Sequence, residues 1–317
     1  MHVARLHRPL IVVAGLMAAL ATFAAIGIFV DDRTLVGVPI WLKPFKFSVS
    51  IAIYGTTIAW MLSLLAERRR RFGWWLGTVI AAAMLIEIAI IVGQAARGHQ
   101  SHFNHQTPLD GALFNIMGAT IAVAWVATLI LAILLLMQRM PDRANALAVR
   151  LGIIVALGGM AVGFLMTIPT AAELAQDNPT ILGAHSVGVP DGGPSLPLVN
   201  WSTTGGDLRA GHFIGMHALQ ALPLFALALT LAARRVARLR ADRVRARLIA
   251  VAGFFYAGLT VLVTWQALRG QSLIHPDALT LTVAGALILA SAVGALWAWV
   301  AAGADRSPAT PRPAGAF

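Results

Sequence analysis

The chain contains no cysteine, and this absence excludes disulfides, thiolate metal sites and cysteine nucleophiles. Charge is also scarce: charged residues make up 12% of the 317 residues, whereas roughly 25% is usual in soluble domains. Lysine is nearly missing, because all positive side chains are arginine except Lys43 and Lys46. Apolar residues are abundant, because 58% of the residues are hydrophobic. These proportions indicate a protein built for lipid.

Eight apolar runs are close to the length of about 20 residues that crosses a bilayer as a helix. The predicted spans are 9–30, 47–66, 74–96, 111–137, 151–170, 212–233, 248–268 and 279–302. The fold class is therefore an all-α polytopic membrane protein with eight transmembrane helices. The first run is too long for the apolar region of a signal peptide, so we expect it to remain as an uncleaved helix.

The positive charges are distributed unevenly between the two sides that these spans define. If the N-terminus is cytoplasmic, 18 of the 24 positive residues lie on the inner side. The positive-inside rule then predicts an N-in, C-in protein of the bacterial inner membrane. The net charge of +11 is thus a signal of topology, and we expect no nucleic-acid partner.

The two halves of the chain resemble each other, which predicts two parallel four-helix repeats. The segment LKPFKF (42–47) aligns without gaps on LRAGHF (208–213), and QAARG (94–98) aligns on QALRG (266–270). The predicted units are a first half at 1–145, a second half at 146–303 and a disordered cytoplasmic tail at 304–317. The second half includes a long outer loop at 171–211, whose glycines, prolines and apolar residues favour a cap on the membrane face.

Seven of the nine histidines fall on the predicted outer side, together with both lysines. Imidazole and ammonium groups on one membrane face predict a binding site there. The expected cofactor-binding residues are His102, His105, His212, His217, Lys43, Lys46 and Arg209. The lysines and Arg209 would hold an anion such as a carboxylate, a phosphate or a haem propionate, while anchoring at lipid headgroups is the alternative role for lysine.

A divalent metal such as zinc is the other expected cofactor. Its candidate ligands are His99, His102, His212, His217 and Asp207. On a helix, histidines three apart share a face, but His212 and His217 are about 140° apart at 3.6 residues per turn. Those two could reach one ion only if the chain breaks before His212, which Gly211 permits.

One acidic residue, Glu87, lies near the middle of the third predicted span. An ionisable group at that depth is costly, so it predicts a protonation site or a buried polar contact. Gln94 continues the same stripe of the helix, and Gln220 shares a helix face with His217.

Three functions remain open. The first is haem b or metal binding for redox chemistry or sensing, in an architecture that resembles the eight-helix haem A synthases at the level of the fold. The second is a zinc-dependent membrane hydrolase, whose ingredients resemble those of the ceramidase and adiponectin-receptor superfamily without its HxxxH signature. The third is a proton-coupled transporter or a sensor. Whether the protein is an enzyme, and its oligomeric state, stay open.

The segments KPFKF, SHFN and GDLRAGHFIGMHALQ resemble those of uncharacterised bacterial polytopic membrane proteins. This resemblance covers most of the chain and implies a membrane fold, but it implies no activity. The partners expected from the residues are the lipid bilayer and a small anionic ligand or cofactor at the outer face.

Overall fold

A computed structural model describes residues 6–304 of the chain, and this part is mainly helical. The helices are α1 (Arg8–Val30), α2 (Leu42–Ser63), α3 (Glu67–Arg97), α4 (Pro108–Leu136), α5 (Arg143–Met166), α6 (Ala171–Leu174), α7 (Leu208–Met216), α8 (Ala218–Ala232), α9 (Asp242–Leu268) and α10 (Ala278–Ala304). The strands are β1 (Thr34–Leu35), β2 (Val38–Pro39), β3 (Ser186–Val187) and β4 (Gly206–Asp207). The predicted all-α class is confirmed. Of the predicted tail at 304–317, residue 304 is the last residue of α10, and residues 305–317 lie outside the described part of the chain.

Polar residues define where several helices begin and end. The side chains of Thr107 and Asp142 accept backbone N–H bonds at the starts of α4 and α5, which satisfies donors that have no partner within the helix. Gly98 ends α3 in a left-handed conformation with φ of 76°, which costs glycine little. The apolar runs therefore become helices whose ends are fixed by local sequence.

In the described part, seven helices are long and apolar enough to cross a membrane. An eighth span is formed if α7 and α8, which meet at an angle of 41°, are counted together. The break lies at His217, so α7 continues through Gly211 and His212. The break before His212 that a metal ion shared with His217 would require does not occur, because Leu208–Met216 forms one regular helix that is capped by Asp207.

The spans begin a few residues earlier than predicted where polar residues still fit the first turns. The second span begins at Leu42, so Lys43 and Lys46 lie within the first turns of α2. The fifth span ends at Met166, so the long loop runs over 167–207 and contains the short helix α6. A charged residue near the end of a helix can reach water or a polar loop, which a hydropathy window does not register.

The helices contact each other in two groups that meet where α4 packs against α5. In the first group α1 packs on α2 and α3, α2 on α3, and α3 on α4. In the second group α5 packs on α7, α8 and α9, α7 and α8 on α9, and α9 on α10. The closest approach is between α5 and α7, where Gly159 and Gly215 bring the two backbones into contact. Small residues permit such a crossing because no side chain separates the helices.

The loops 31–41, 98–107, 167–207 and 269–277 contact one another at one end of the bundle, which we call the long-loop end. Asn104 forms a β-bridge with Ile181, and the hydroxyl of Ser272 donates to the carbonyl of Ser202 at 3.3 Å. The β1–β2 hairpin is tied to α3 because the Arg33 guanidinium donates to the carbonyl of Ala96 at 3.1 Å. These contacts build a continuous cap. The opposite end carries the arginine-rich loops and is called the arginine-rich end.

Candidate functional site

A cavity of about 970 Å³ lies under the cap at the long-loop end. Its walls come from the first turns of α2, the last turns of α3 and α5, and loops 31–41, 98–107 and 167–207. Most of the side chains on these walls are apolar. The cationic and imidazole side chains on them are Lys43, Lys46, Arg209, His99, His102 and His185. Apolar walls with a few converging polar groups are typical of small-molecule sites.

Both lysines of the chain are on the wall of this cavity, three residues apart on the first turns of α2. The Lys43 ammonium lies 3.0 Å from Nδ1 of His102, and the Lys46 ammonium donates to the carbonyl of Val199 at 3.0 Å. Neither ammonium forms an ion pair with a carboxylate anywhere in residues 6–304. Two partly buried cations without a carboxylate partner leave positive charge that an anion can balance.

Lys43 is linked through His102 to Glu87 of α3. The Nε2 atom of His102 lies 3.7 Å from Oε1 of Glu87, and its Nδ1 atom faces the Lys43 ammonium. A neutral imidazole protonated at Nε2 would satisfy both contacts, since Nδ1 would accept from Lys43 while Nε2–H faces the carboxyl. Glu87 is 3% exposed, and its Oε2 atom has no hydrogen-bond partner among the described residues. These three side chains form a row that can hold a proton at Glu87, at His102 or at Lys43.

The surroundings of His102 favour its neutral form. Burial lowers the pKa of His102 well below its ordinary value, and the neighbouring Lys43 charge lowers it further. The hydroxyl of Ser101 also lies 3.2 Å from Nδ1. At neutral pH His102 is thus an uncharged connector between a cation and a carboxyl.

Arg209 reaches the cavity with its charge already paired. Its Nε and Nη2 atoms donate to the two carboxylate oxygens of Asp207, at 2.9 and 2.6 Å. Asp207 is 3% exposed and also accepts from the backbone N–H of Ser202. The pair therefore fixes the start of α7 on the cap, and it leaves less free charge than the two lysines do.

His185 and Asp191, which sequence reasoning left out of the site, form a dyad on the cavity wall. The Nδ1 atom of His185 lies 2.7 Å from Oδ2 of Asp191, and the backbone N–H groups of His185 and Ser186 also donate to that carboxylate. Nε2 is thereby left as the free nitrogen, as in histidines that carboxylates orient toward a ligand. The signal in the sequence was a histidine followed six residues later by an aspartate within the one long loop.

Burial lowers the pKa of His185, although the hydrogen bond to Asp191 opposes this effect. For Asp191 burial acts in the opposite direction and raises the pKa, but the contacts with His185 and Ser186 outweigh it and hold the pKa below its usual range. A neutral imidazole that donates to an ionised carboxylate is the state that these directions favour.

Phe103 positions the two cavity histidines. Its ring centroid lies 6.0 Å from that of His102 and 4.8 Å from that of His185, in edge-to-face geometry. Its backbone has a φ of 62°, which is uncommon for a bulky residue and is maintained here by burial of the ring. The strained backbone is thus accommodated in the cap, and the ring contacts both imidazoles.

The expected metal ligands do not come together. No group of three or more His, Asp or Glu side chains that could hold a metal ion is found within residues 6–304. His99 contacts Asp110 at 3.3 Å, Asp207 pairs with Arg209, and Nδ1 of His212 donates to the carbonyl of Gly159 at 2.9 Å. The run 99–105 is a loop, so the expected sharing of a helix face by its histidines is wrong.

Three other candidates have structural partners away from the lysines. His105 packs against Gly111 and the ring of Phe114. His217, at the break between α7 and α8, contacts the side-chain oxygen of Gln220 at 3.2 Å, and Gln220 donates to Thr57 at 3.0 Å. This row links α8 to α2 inside the bundle and does not line the cavity.

Gln94 serves the scaffold of the long-loop end. Its amide donates to the carbonyl of Gln100 at 3.2 Å and to Asp110 at 2.8 Å, while the carboxylate of Asp110 also pairs with Arg97 at 3.2 Å. The contacts join the end of α3 to the start of α4. They therefore fix loop 98–107, which carries His102.

No family model matches the chain, and searches of curated proteins and of solved structures likewise give no match.

Proposed function

We propose that the chain is an eight-span protein of the inner membrane, with both termini and the arginine-rich end in the cytoplasm and the long-loop end outside. The predominance of arginine at one end supports this orientation. The bent pair α7–α8 would be the sixth span, and its outer end carries Arg209.

We also propose that the two groups of helices are parallel repeats. Corresponding helices make corresponding contacts: α1 and α5 each pack on the next two spans, and α3–α4 matches α9–α10. The aligned glutamines behave alike, because Gln94 donates to the carbonyl six residues ahead, of Gln100, and Gln266 donates to that of Ser272, at 3.2 and 2.7 Å. The aligned Arg97 and Arg269 each pair with the aspartate near the start of the next helix, Asp110 and Asp277.

The function that this geometry supports best is binding of a small anionic molecule in the outer cavity, for sensing or transport. The observation that carries it is the pair Lys43 and Lys46: both line the cavity, and neither is paired with a carboxylate in the described part of the chain. Lysine provides a compact charge, which suits a carboxylate or phosphate. Glu87, behind His102, would supply the protonation site of a proton-coupled carrier.

Haem binding is the second candidate, and the dyad on the cavity wall favours it. The lysines would hold the propionates, the apolar walls would cover the macrocycle, and His185 would hold the iron through Nε2. The iron would supply redox chemistry or gas binding when haem is bound. A zinc hydrolase receives no such support, since the described residues provide no three-ligand group.

The test is anion binding by the detergent-purified full chain, measured by titration with phosphate and with acetate. We expect Lys43→Met combined with Lys46→Met to weaken binding at least 100-fold, because both unpaired charges disappear. The double arginine variant, which keeps both charges, should stay within about tenfold of the wild type. Arg70→Met is the matched control, because it removes an exposed cation that is paired with Glu67 at the arginine-rich end and lies away from the cavity.

Equal binding by the wild type and the double methionine variant would refute the anion site. An absorption spectrum of the same preparation tests the second candidate. A Soret band that shifts in His185→Ala would establish haem as the occupant, whereas colourless protein that binds phosphate supports the first candidate.

A further inference from the structure

The cavity has an apolar part that a small ion does not need. Apolar side chains contribute to its wall from several separate segments of the chain. They include Leu35 and Val38 of the β1–β2 hairpin, Phe47 of α2, Ile91 of α3, and Val187 of β3. Contact of this surface with an inorganic ion would gain no hydrophobic free energy. An alkyl chain would gain it, because both the chain and the wall would be removed from water.

Part of the wall is exposed at the ends of two membrane-spanning helices. Leu165 and Ile168, at the end of α5 and just beyond it, are 38% and 60% exposed, and Leu268 at the end of α9 is 52% exposed. At the proposed outer interface of the membrane, exposed apolar side chains face acyl chains. In the proposed orientation the cavity would therefore open toward lipid at the ends of α5 and α9.

The unpaired charges of the cavity lie apart from the most exposed part of its apolar wall, although Arg209 and Asp191 also line it and Phe47 lies beside the lysines. The unpaired charges lie on α2 of the first group, whereas the exposed apolar wall lies on α5 and α9 of the second. An amphiphile has the same separation, with an anionic head at one end and an alkyl chain at the other. A compact hydrophilic anion would use only the lysines.

We propose that the ligand is a single-chain amphiphile with a carboxylate or phosphate head, taken laterally from the outer leaflet of the membrane. Its head lies at Lys43 and Lys46, and its chain runs toward Leu165, Ile168 and Leu268. This inference rests on the proposed anion site and names its ligand class. A free fatty acid and a single-chain phospholipid would both provide this chemistry.

The experiment uses the full chain in lipid nanodiscs and two photoreactive C16 probes. One probe has a carboxylate head and the other a phosphate head, and each carries a diazirine near the end of its chain. After irradiation, mass spectrometry of peptides locates the label. We expect label on the peptides that contain Leu165, Ile168 or Leu268, and at least tenfold less in the Lys43→Met/Lys46→Met variant. The head that labels more efficiently identifies the source of the ligand.

A second pair of variants tests the lateral opening without touching the charges. Ile168→Ser combined with Leu268→Ser should reduce labelling at least threefold while phosphate affinity stays unchanged. Leu289→Ser is the matched control, because this leucine of α10 is 66% exposed and lies away from the cavity. It should change neither labelling nor phosphate affinity.

The outcomes separate the two proposals. Phosphate binding that depends on the lysines, with label spread over all lipid-facing helices and unaffected by the lysine variants, would overturn the amphiphile and leave the anion site standing. If the wild type neither binds phosphate nor shows specific labelling, the proposed function itself is overturned. Specific labelling that both lysine substitutions abolish supports both proposals.

Discussion

The two groups of helices differ most where they meet the cavity. Each has a glutamine that donates to the carbonyl six residues ahead and an arginine paired with an aspartate. At the positions where the first group has Lys43 and Lys46, the second has Arg209 and His212, and both have protein partners. Contacts present in both groups thus build the scaffold. Side chains that only one group of helices has, and whose charge is unpaired, are the ones available to a ligand.

Glu87, within the span α3, is a second difference between the two groups of helices. The alignment that relates Gln94 to Gln266 places Leu259 where the first group has Glu87. The corresponding position of the second group is leucine, so the packing of the helices does not require a carboxyl there. A buried carboxyl in one group only, with one oxygen unpartnered, indicates a role for the first group that the second does not share.

The largest expected effect comes from the helix crossings, where the two groups differ in tightness. A Cβ atom at Gly159 would meet the backbone of Gly215, whereas one at Gly55 would lie 3.6 Å from the Leu10 carbonyl, an ordinary contact. Gly159→Ala should therefore reduce the yield of monodisperse protein several-fold in size-exclusion chromatography, while Gly55→Ala should leave it near wild type. Gly158→Ala is the neighbouring control, since its Cβ would meet nothing within 4 Å. Equal yields for Gly159→Ala and Gly158→Ala would contradict the close crossing.

The matched glutamines test whether the scaffold is equivalent in the two groups. Both side chains are buried, and replacing either by leucine leaves a carbonyl without its donor, at a cost of about 1–3 kcal/mol. Gln94→Leu and Gln266→Leu should both lower the midpoint of thermal unfolding, and Gln94→Leu should lower it more because it also removes the donor to Asp110. Gln176→Leu, on the exposed surface of the long loop, should not. A large loss for one substitution and none for the other would argue against repeats.

Glu87→Gln sharpens the contrast at the cavity. At a pH where the Glu87 carboxyl is ionised, the substitution removes a negative charge near Lys43 and should strengthen anion binding, by about threefold to tenfold, because the remaining field at the lysines is more positive. Phosphate titration measures the change, and Glu67→Gln at the arginine-rich end is the control. Weaker binding in Glu87→Gln would indicate that the carboxyl organises the lysines instead of opposing the anion.

The smallest expected effect is on pH dependence. His102 and His185 have pKa values below the ordinary 6.5 in the folded protein, so the unfolded chain binds more protons as the pH falls below about 6.5. The stability they contribute is present at pH 7 and is lost progressively toward pH 5. Thermal unfolding at these two pH values should show a smaller difference in His102→Gln than in the wild type. An unchanged difference in both His102→Gln and His185→Gln would contradict the assignment.

Sequence reasoning predicted the helical architecture and singled out the two lysines that line the cavity, because hydropathy and rare residue types are local signals. It also singled out Glu87, since a lone carboxylate in an apolar run is conspicuous. It did not find the partner of Glu87, which is His102 in a loop, nor the dyad of His185 and Asp191. Those contacts depend on how loops 98–107 and 167–207 fold over the bundle, which no periodicity encodes. The candidate metal ligands lie apart within residues 6–304, and the run 99–105, whose spacing was considered on a helix, is a loop.

The most direct test of the anion site is a crystal structure of the protein soaked with selenate, recorded at the selenium absorption edge on protein with ordinary methionine. We predict an anomalous peak in the cavity within hydrogen-bonding reach of the Lys43 or Lys46 ammonium, and its absence in the double methionine variant. Peaks confined to the arginine-rich end, with none beside either lysine, would contradict the account.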